Sequence, residues 1–100
     1  MARKAEFLGA EFSRRFRESY ARLSHDRQKG ADKVILALMK QELTPGMRVK
    51  PILPEKYYGE ARINDADRLI HRVEGGKVWL VDVVAHDDVG RYGKEVGDLF

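Results

Sequence analysis

The sequence has no cysteine, which excludes a disulfide framework and a thiolate metal site. It has no apolar run close to the roughly 20 residues of a membrane helix, and its opening Met-Ala-Arg-Lys-Ala-Glu-Phe-Leu lacks the apolar stretch of a signal peptide. It also lacks a Gly-x-Ser-x-Gly motif, a Gly-rich phosphate loop and a Rossmann fingerprint. We therefore expect a cytoplasmic protein with no membrane partner, outside the common hydrolase and nucleotide-binding classes.

The 100 residues, of which 43% are apolar and 35% charged, suit a single domain over residues 1–100 with one modest core. The net charge of +3 is unevenly spread, because residues 1–50 hold 12 Lys and Arg against 6 Asp and Glu, and residues 51–100 hold 7 against 10. A basic first half indicates a polyanionic partner such as nucleic acid. A solvated helix face is the alternative.

Two helices are predicted in the first half of the chain. Apolar residues at spacings of four, four and three predict a helix from about Gly9 to Leu23, with Arg14 and Arg17 on its opposite face. Ser24 is a plausible N-cap for a second helix, which ends before Thr44-Pro45-Gly46. We therefore expect a helical hairpin in which the two helices share one apolar face.

Strands are predicted after Gly46. Pro51 and Pro54 forbid a central strand near them, whereas residues 57–63 alternate as a strand, and residues 68–73 and 77–84 flank Gly75-Gly76 as a hairpin. Residues 79–84 are almost all apolar, which is typical of a central strand covered on both faces. We expect an α+β fold, with the N-terminal helical hairpin packed on one face of a small antiparallel β-sheet and the other face free for a ligand.

Three arginines are predicted on neighbouring strands, namely Arg62, Arg68 and Arg72. Guanidinium groups that converge on a sheet face can hold a phosphate and stabilise the charge that develops during its attack. The alternative is ordinary cross-strand pairing with Glu60, Asp65 or Asp67.

His86 follows the buried strand, with Asp87, Arg91 and Tyr92 close behind. Histidine titrates near neutrality and can act as a general acid or base, a neighbouring carboxylate can orient it, and a tyrosine can donate a proton or stack on a base. The alternative is that His86 and Asp87 cap the strand and Tyr92 only packs. We predict no metal and no cofactor, because adjacent residues of an extended segment point to opposite faces and no third ligand is marked out.

These residues, with Tyr57, Tyr58 and the run Arg68-Leu-Ile-His71, resemble the RelE/ParE superfamily of bacterial type II toxins over roughly residues 7–93. The resemblance implies a ribosome-dependent mRNA endoribonuclease in which the RNA 2′-hydroxyl attacks the adjacent phosphate. It implies that Arg68 binds that phosphate, that Arg62 assists, that His86 is the general acid or base, and that Asp87 and Tyr92 help.

The predicted partners are a cognate antitoxin, the ribosome and mRNA, with Arg62, Arg72, Arg91, Arg14 and Arg17 as RNA-binding residues. A ParE-like inhibitor of DNA gyrase without catalysis, or a degenerate non-toxic member of the superfamily, are the alternatives. The sequence departs from the superfamily pattern at Asp67 and His71, where aromatic residues are usual.

The hairpin register tests the nuclease hypothesis. A regular two-residue loop places Arg68 opposite Val83, with His86 on the other face of the sheet. A three-residue loop, or a bulge before His86, places Arg68 opposite Val84 and on the same side as His86. The nuclease hypothesis requires the second arrangement.

Overall fold

The structure is a computed structural model that describes residues 7–100. Five strands form one sheet: β1 (Gly9–Phe12), β2 (Lys50–Pro51), β3 (Gly59–Arg62), β4 (Asp67–Glu74) and β5 (Lys77–Ala85). Their order in space is β1-β5-β4-β3-β2, with β1 parallel to β5 and the other pairs antiparallel. The predicted α+β class is confirmed, although the sheet is mixed rather than purely antiparallel.

The first predicted helix begins later than the apolar spacing indicated. Gly9–Phe12 is strand β1, and helix α1 spans Arg14–Ala21. Ser13 separates the two, since its hydroxyl accepts a hydrogen bond from the Phe16 N–H at 2.9 Å and donates one to the Val81 carbonyl at 2.6 Å. A capping serine was a local signal for this start. Nothing in the local sequence indicated that β1 pairs with β5. This pairing outweighs the helical spacing that predicted a helix from about Gly9.

The second predicted helix is confirmed. Helix α2 spans His25–Lys40, and the Ser24 hydroxyl accepts a hydrogen bond from the Arg27 N–H. It ends at Gln41, whose backbone is left-handed. Both helices lie on one face of the sheet, where their side chains meet those of β3, β4 and β5 in a core of Phe16, Val34, Ile35, Leu38, Met47, Ala61, Leu69, Val78, Leu80 and Val83.

The hairpin between β4 and β5 combines a tight loop with a bulge. Its loop is Gly75-Gly76, both with positive φ, and Glu74 pairs with Lys77. Farther along, Ile70 pairs with Asp82 whereas His71 pairs with Leu80, so that one extra residue of β5 is accommodated. The bulge places Arg68 opposite Val84 despite the two-residue loop. This is the register that the nuclease hypothesis required.

The second face of the sheet is covered, so the expectation that it is free for a ligand is wrong. A 3₁₀ helix over His86–Tyr92 and the C-terminal residues fold back over it. Together with the sheet they form a second core of Ile52, Tyr58, Ile70, Val81, Val84, Val89, Tyr92 and Leu99. Within residues 7–100 no helix has the length and apolar character needed to cross a membrane.

Candidate functional site

Residues predicted to carry chemistry lie at the end of the sheet that holds the β3–β4 loop, residues 63–66. Arg62 ends β3 and pairs with Arg68 near the start of β4. The His86 N–H donates a hydrogen bond of 2.9 Å to the Ala66 carbonyl, which ties the 3₁₀ helix to this loop. The His86 side chain is exposed, and it makes no hydrogen bond or ion pair within residues 7–100. An accessible imidazole is thus held beside a loop flanked by two arginines.

Further arginines approach the same loop and are balanced by its acids. Arg27, near the start of α2, donates from Nε and Nη2 to the two carboxylate oxygens of Asp67 at 2.8 and 2.6 Å. This bidentate pair lowers the pKa of Asp67, whose side chain is buried. Arg62 pairs with the exposed Asp65 and lowers its pKa, with smaller contributions from Arg68 and Arg48. Asp65 of the loop and Asp67 at the start of β4 are therefore ionised carboxylates among arginines from α2, β3 and β4.

Arg68 is committed to the loop itself. Its Nη1 donates to the carbonyls of Asn64, Asp65 and Asp67 at 2.7, 3.2 and 3.1 Å. Its Nε lies 3.8 Å from Glu60 Oε1, and only 9% of the side chain is exposed. In this state Arg68 shapes the loop through Nη1, and a phosphate bound at that nitrogen would have to replace carbonyl partners.

Tyr92 is buried behind the site and not on its surface. Its hydroxyl donates to Asp82 Oδ2 at 2.5 Å and accepts from Arg15 Nη1 at 2.9 Å. Burial, with the Asp82 hydrogen bond, raises the pKa of Tyr92 to about 12, against the opposing effect of Arg15. Tyr92, at the end of the 3₁₀ helix that begins with His86 and Asp87, thereby connects α1 to Asp82, a carboxylate on the bulged part of a buried strand.

The sequence analysis missed Arg15, Arg27 and Asp82. Asp82 had a signal, because it interrupts the apolar run of residues 79–84, and buried carboxylates are almost always paired. The other two had none, since Arg27 meets a residue 40 positions away and Arg15 one 77 positions away.

The remaining predicted RNA-binding arginines are dispersed. Arg72 lies toward the hairpin end of the sheet, where it donates to the Tyr57 carbonyl and to Glu74. Arg91 pairs with Asp88 at 3.2 Å and is exposed. The two on α1, Arg14 and Arg17, are also exposed, and Arg17 lines a cleft between the two helices.

Within residues 7–100 no group of three or more His, Cys, Asp or Glu side chains is arranged to hold a metal ion. His71 lies in the sheet beside Gly59 with 4% exposure. Its Nδ1 has no hydrogen-bond partner among residues 7–100, and burial lowers its pKa from 6.5 to about 4.

No protein-family model matches the sequence, and no curated protein matches it at a significant level. Solved structures do match by fold. A chain of the Escherichia coli DinJ-YafQ toxin-antitoxin complex is similar with a TM-score of 0.68 and 15% identity, covering 80% of this chain and 93% of that chain. The YoeB/ParE toxin from Agrobacterium tumefaciens gives 0.69 and 14%, covering 79% and 99%.

A chain of the RelBE2 toxin-antitoxin complex from Mycobacterium tuberculosis gives a TM-score of 0.65 and 19% identity, covering 87% of this chain and 100% of that chain. The chain has a RelE/ParE-like toxin fold. The predicted resemblance is thus confirmed at the level of the fold. Because one fold hosts many functions, activity has to be argued from the site.

Proposed function

We propose that this protein is the toxin of a type II toxin-antitoxin system and that it cleaves ribosome-bound mRNA in the cytoplasm. The observation that carries the proposal is the exposed His86 imidazole, held by a backbone hydrogen bond beside the loop between Arg62 and Arg68. The fold supports it, since the neighbours named above are toxins or toxin-antitoxin complexes.

In the proposed reaction the RNA 2′-oxygen forms a bond to the adjacent phosphorus while the bond to the 5′-oxygen breaks. A base accepts the 2′-hydroxyl proton, an acid protonates the departing 5′-oxygen, and the products are a cyclic phosphate and a 5′-hydroxyl. His86 serves as one of the two proton-transfer groups, and Asp87, which follows it in the 3₁₀ helix, is the carboxylate placed to assist it. Arg62 and Arg68 stabilise the charge on the phosphorane oxygens, Arg68 after exchanging a loop carbonyl. Tyr92 supports the 3₁₀ helix from below.

The proposed partners follow from the charge. Arg14, Arg17, Arg72 and Arg91 contribute dispersed phosphate contacts to ribosomal or messenger RNA, which bring affinity without sequence preference. A cognate antitoxin would silence the toxin by covering the basic surface or by displacing the C-terminal segment.

Inducible expression tests the proposal. Wild type should arrest growth, and mapping of message 5′ ends after a short pulse should show cuts at fixed positions within codons. His86→Ala and Arg62→Ala should each lower cleavage at least about 100-fold, the usual effect of losing a general acid or base and of losing a charge-stabilising donor, respectively. His25→Ala, which removes an exposed histidine at the start of α2, is the matched control and should cleave like wild type. Full cleavage by both site variants would refute the assignment.

A second candidate is a ParE-like inhibitor of DNA gyrase that acts without chemistry. The engagement of Arg68 Nη1 by three carbonyls favours it, because a guanidinium nitrogen occupied by the fold is less available to a phosphate. DNA-damage signalling with intact messages would select this candidate. Unimpaired growth, with stable protein in the cell, would select a degenerate non-toxic protein.

A further inference from the structure

A second cleft lies on the same face of the sheet as Arg68, but toward the hairpin end. It has a volume of about 180 Å³, and its lining includes Tyr57, Arg72, Glu74, Trp79 and Phe100. Arg72 is four residues from Arg68 along β4, which corresponds to roughly 13 Å. The covering C-terminal segment lies between the two places, so this cleft is separate from the site around His86.

Arg72 forms the polar side of the cleft as a fixed flat group. Its guanidinium carbon lies 3.7 Å from the centre of the Tyr57 ring, within stacking distance. Nη1 donates to the Tyr57 carbonyl at 2.7 Å and Nη2 to Glu74 Oε1 at 2.6 Å. Nε is buried and has no partner within the described residues. A planar donor group and a carboxylate acceptor therefore stand side by side at an aromatic surface.

The aromatic side of the cleft is equally well defined. Trp79 pairs with Arg72 across the strands, and its indole N–H donates to the Glu74 carbonyl at 3.0 Å. The Phe100 ring meets the Trp79 ring edge to face at 5.1 Å between centres, yet Phe100 is 58% exposed. The cleft thus offers accessible aromatic surface next to a donor–acceptor pair.

We propose that this cleft binds a single nucleobase, with guanine preferred. Its volume is below the ~300–1,000 Å³ of sites for drug-sized ligands, so it suits one flat ring system. Aromatic faces and arginine planes are the surfaces on which unpaired bases stack. That the base belongs to RNA rests on the proposed function. The binding of a nucleobase in the cleft is independent of that function.

The neighbouring charges select guanine among the four bases. Guanine presents two adjacent N–H donors, N1–H and the N2 amino group, which a carboxylate such as Glu74 can accept together. Beside them it has the O6 acceptor, and arginine is a common partner of guanine oxygen and ring nitrogen. Adenine, cytosine and uracil do not have two N–H groups on neighbouring atoms beside an acceptor. They therefore complement Arg72 and Glu74 less completely than guanine does.

Fluorescence of Trp79, the single tryptophan of the chain, provides a direct test. The whole protein is titrated with the monophosphates of guanosine, adenosine, cytidine and uridine, and with ribose 5-phosphate. We expect saturable quenching by the nucleotides, tightest for guanosine monophosphate by several-fold, and none by ribose 5-phosphate. A short single-stranded RNA that contains guanine should compete with the monophosphate.

Two exposed positions allow substitution without a threat to folding. Phe100→Ala should weaken guanosine monophosphate binding about tenfold, because it removes one stacking surface. Glu74→Gln should reduce the preference over adenosine monophosphate to about twofold or less. Phe12→Ala, at another partly exposed phenylalanine, is the control and should bind like wild type.

Absence of base-dependent quenching, or unchanged binding by Phe100→Ala, would overturn the proposed site. If guanosine monophosphate binds but the RNA does not compete with it, the inference that the bound base belongs to RNA is overturned. His86→Ala should bind the nucleotide normally, since the two places are separate. Loss of cleavage and loss of base binding are therefore distinguishable failures.

Discussion

The two faces of the sheet are both buried, but they are covered in different ways. On the helix face, α1 and α2 pack on an apolar core, and the sheet beneath them buries two polar side chains, His71 and Asp67, of which Asp67 pairs with Arg27 of α2. On the other face a short 3₁₀ helix and an irregular C-terminal segment cover the strands, and Asp82 and Arg68 are buried there with hydrogen bonds. Regular elements thus cover one face, and irregular chain covers the other.

The difference shows how each cover satisfies the polar groups buried beneath it. Two amphipathic helices present a mainly apolar stripe, and single polar side chains on them bond to the sheet, as Ser19 does to the Val83 N–H and Arg27 to Asp67. An irregular cover has fewer apolar residues and must satisfy more backbone and side-chain groups. Arg15, Tyr92 and Asp82 provide such a connection, from α1 to the segment that begins with the candidate catalytic histidine.

Truncation of neighbouring core residues compares the faces most directly. Leu69 and Ile70 are adjacent on β4, point to opposite faces and are both fully buried. If both faces are true cores, Leu69→Ala and Ile70→Ala should each lower the free energy of unfolding by about 3 kcal/mol, within the usual ~2–5 for such changes. Urea denaturation measures both.

The exposed Val73→Ala on the same strand is the control, and it should change stability by less than about 0.5 kcal/mol. A loss below about 1 kcal/mol for Ile70→Ala, beside a full loss for Leu69→Ala, would show that the irregular cover is not a second core.

Acid titration probes His71, the buried histidine on the helix face. The pKa of His71 is lowered by burial to about 4, against 6.5 for an ordinary histidine. The unfolded chain therefore takes up a proton at higher pH than the folded protein does. Stability should be intact above pH 6.5 and fall as pH drops toward 4, by up to roughly 3 kcal/mol.

His71→Leu should lack this part of the acid sensitivity, as measured by urea midpoints near neutral pH and near pH 4. His25→Gln, at an exposed histidine, should keep it. Equal acid sensitivity of wild type and His71→Leu would show that His71 is not held neutral.

Alkaline titration probes the polar network on the second face. The pKa of Tyr92 is raised to about 12, whereas a free tyrosine titrates near 10. The stability contributed by its protonated form should be complete below pH 10 and be lost as pH rises toward 12. Tyr92→Phe should lack this dependence, and at neutral pH it should cost about 1–2 kcal/mol because Asp82 and Arg15 lose their shared partner. Unchanged stability at both pH values would contradict a structural role for the network.

The candidate site was only partly visible in the sequence. His86 at the end of β5, and Arg62 and Arg68 on neighbouring strands, could be predicted, because both follow from the order and alternation of the strands. The engagement of Arg68 by loop carbonyls could not, since it depends on how residues 63–66 turn. The Arg27–Asp67 pair also escaped prediction, because it joins α2 to β4.

The sequence by itself determined helix α2, the glycine hairpin and the burial of β5 on both of its faces. Each depends on capping residues, glycine at positive φ or an unbroken apolar run, all within a few neighbouring positions. Only the tertiary structure decided that residues 9–12 are a strand, that β5 is bulged and that the second face is closed. These features depend on contacts such as Ser13 to Val81, 68 positions apart, and the energy of a distant partner leaves no periodicity in the local sequence.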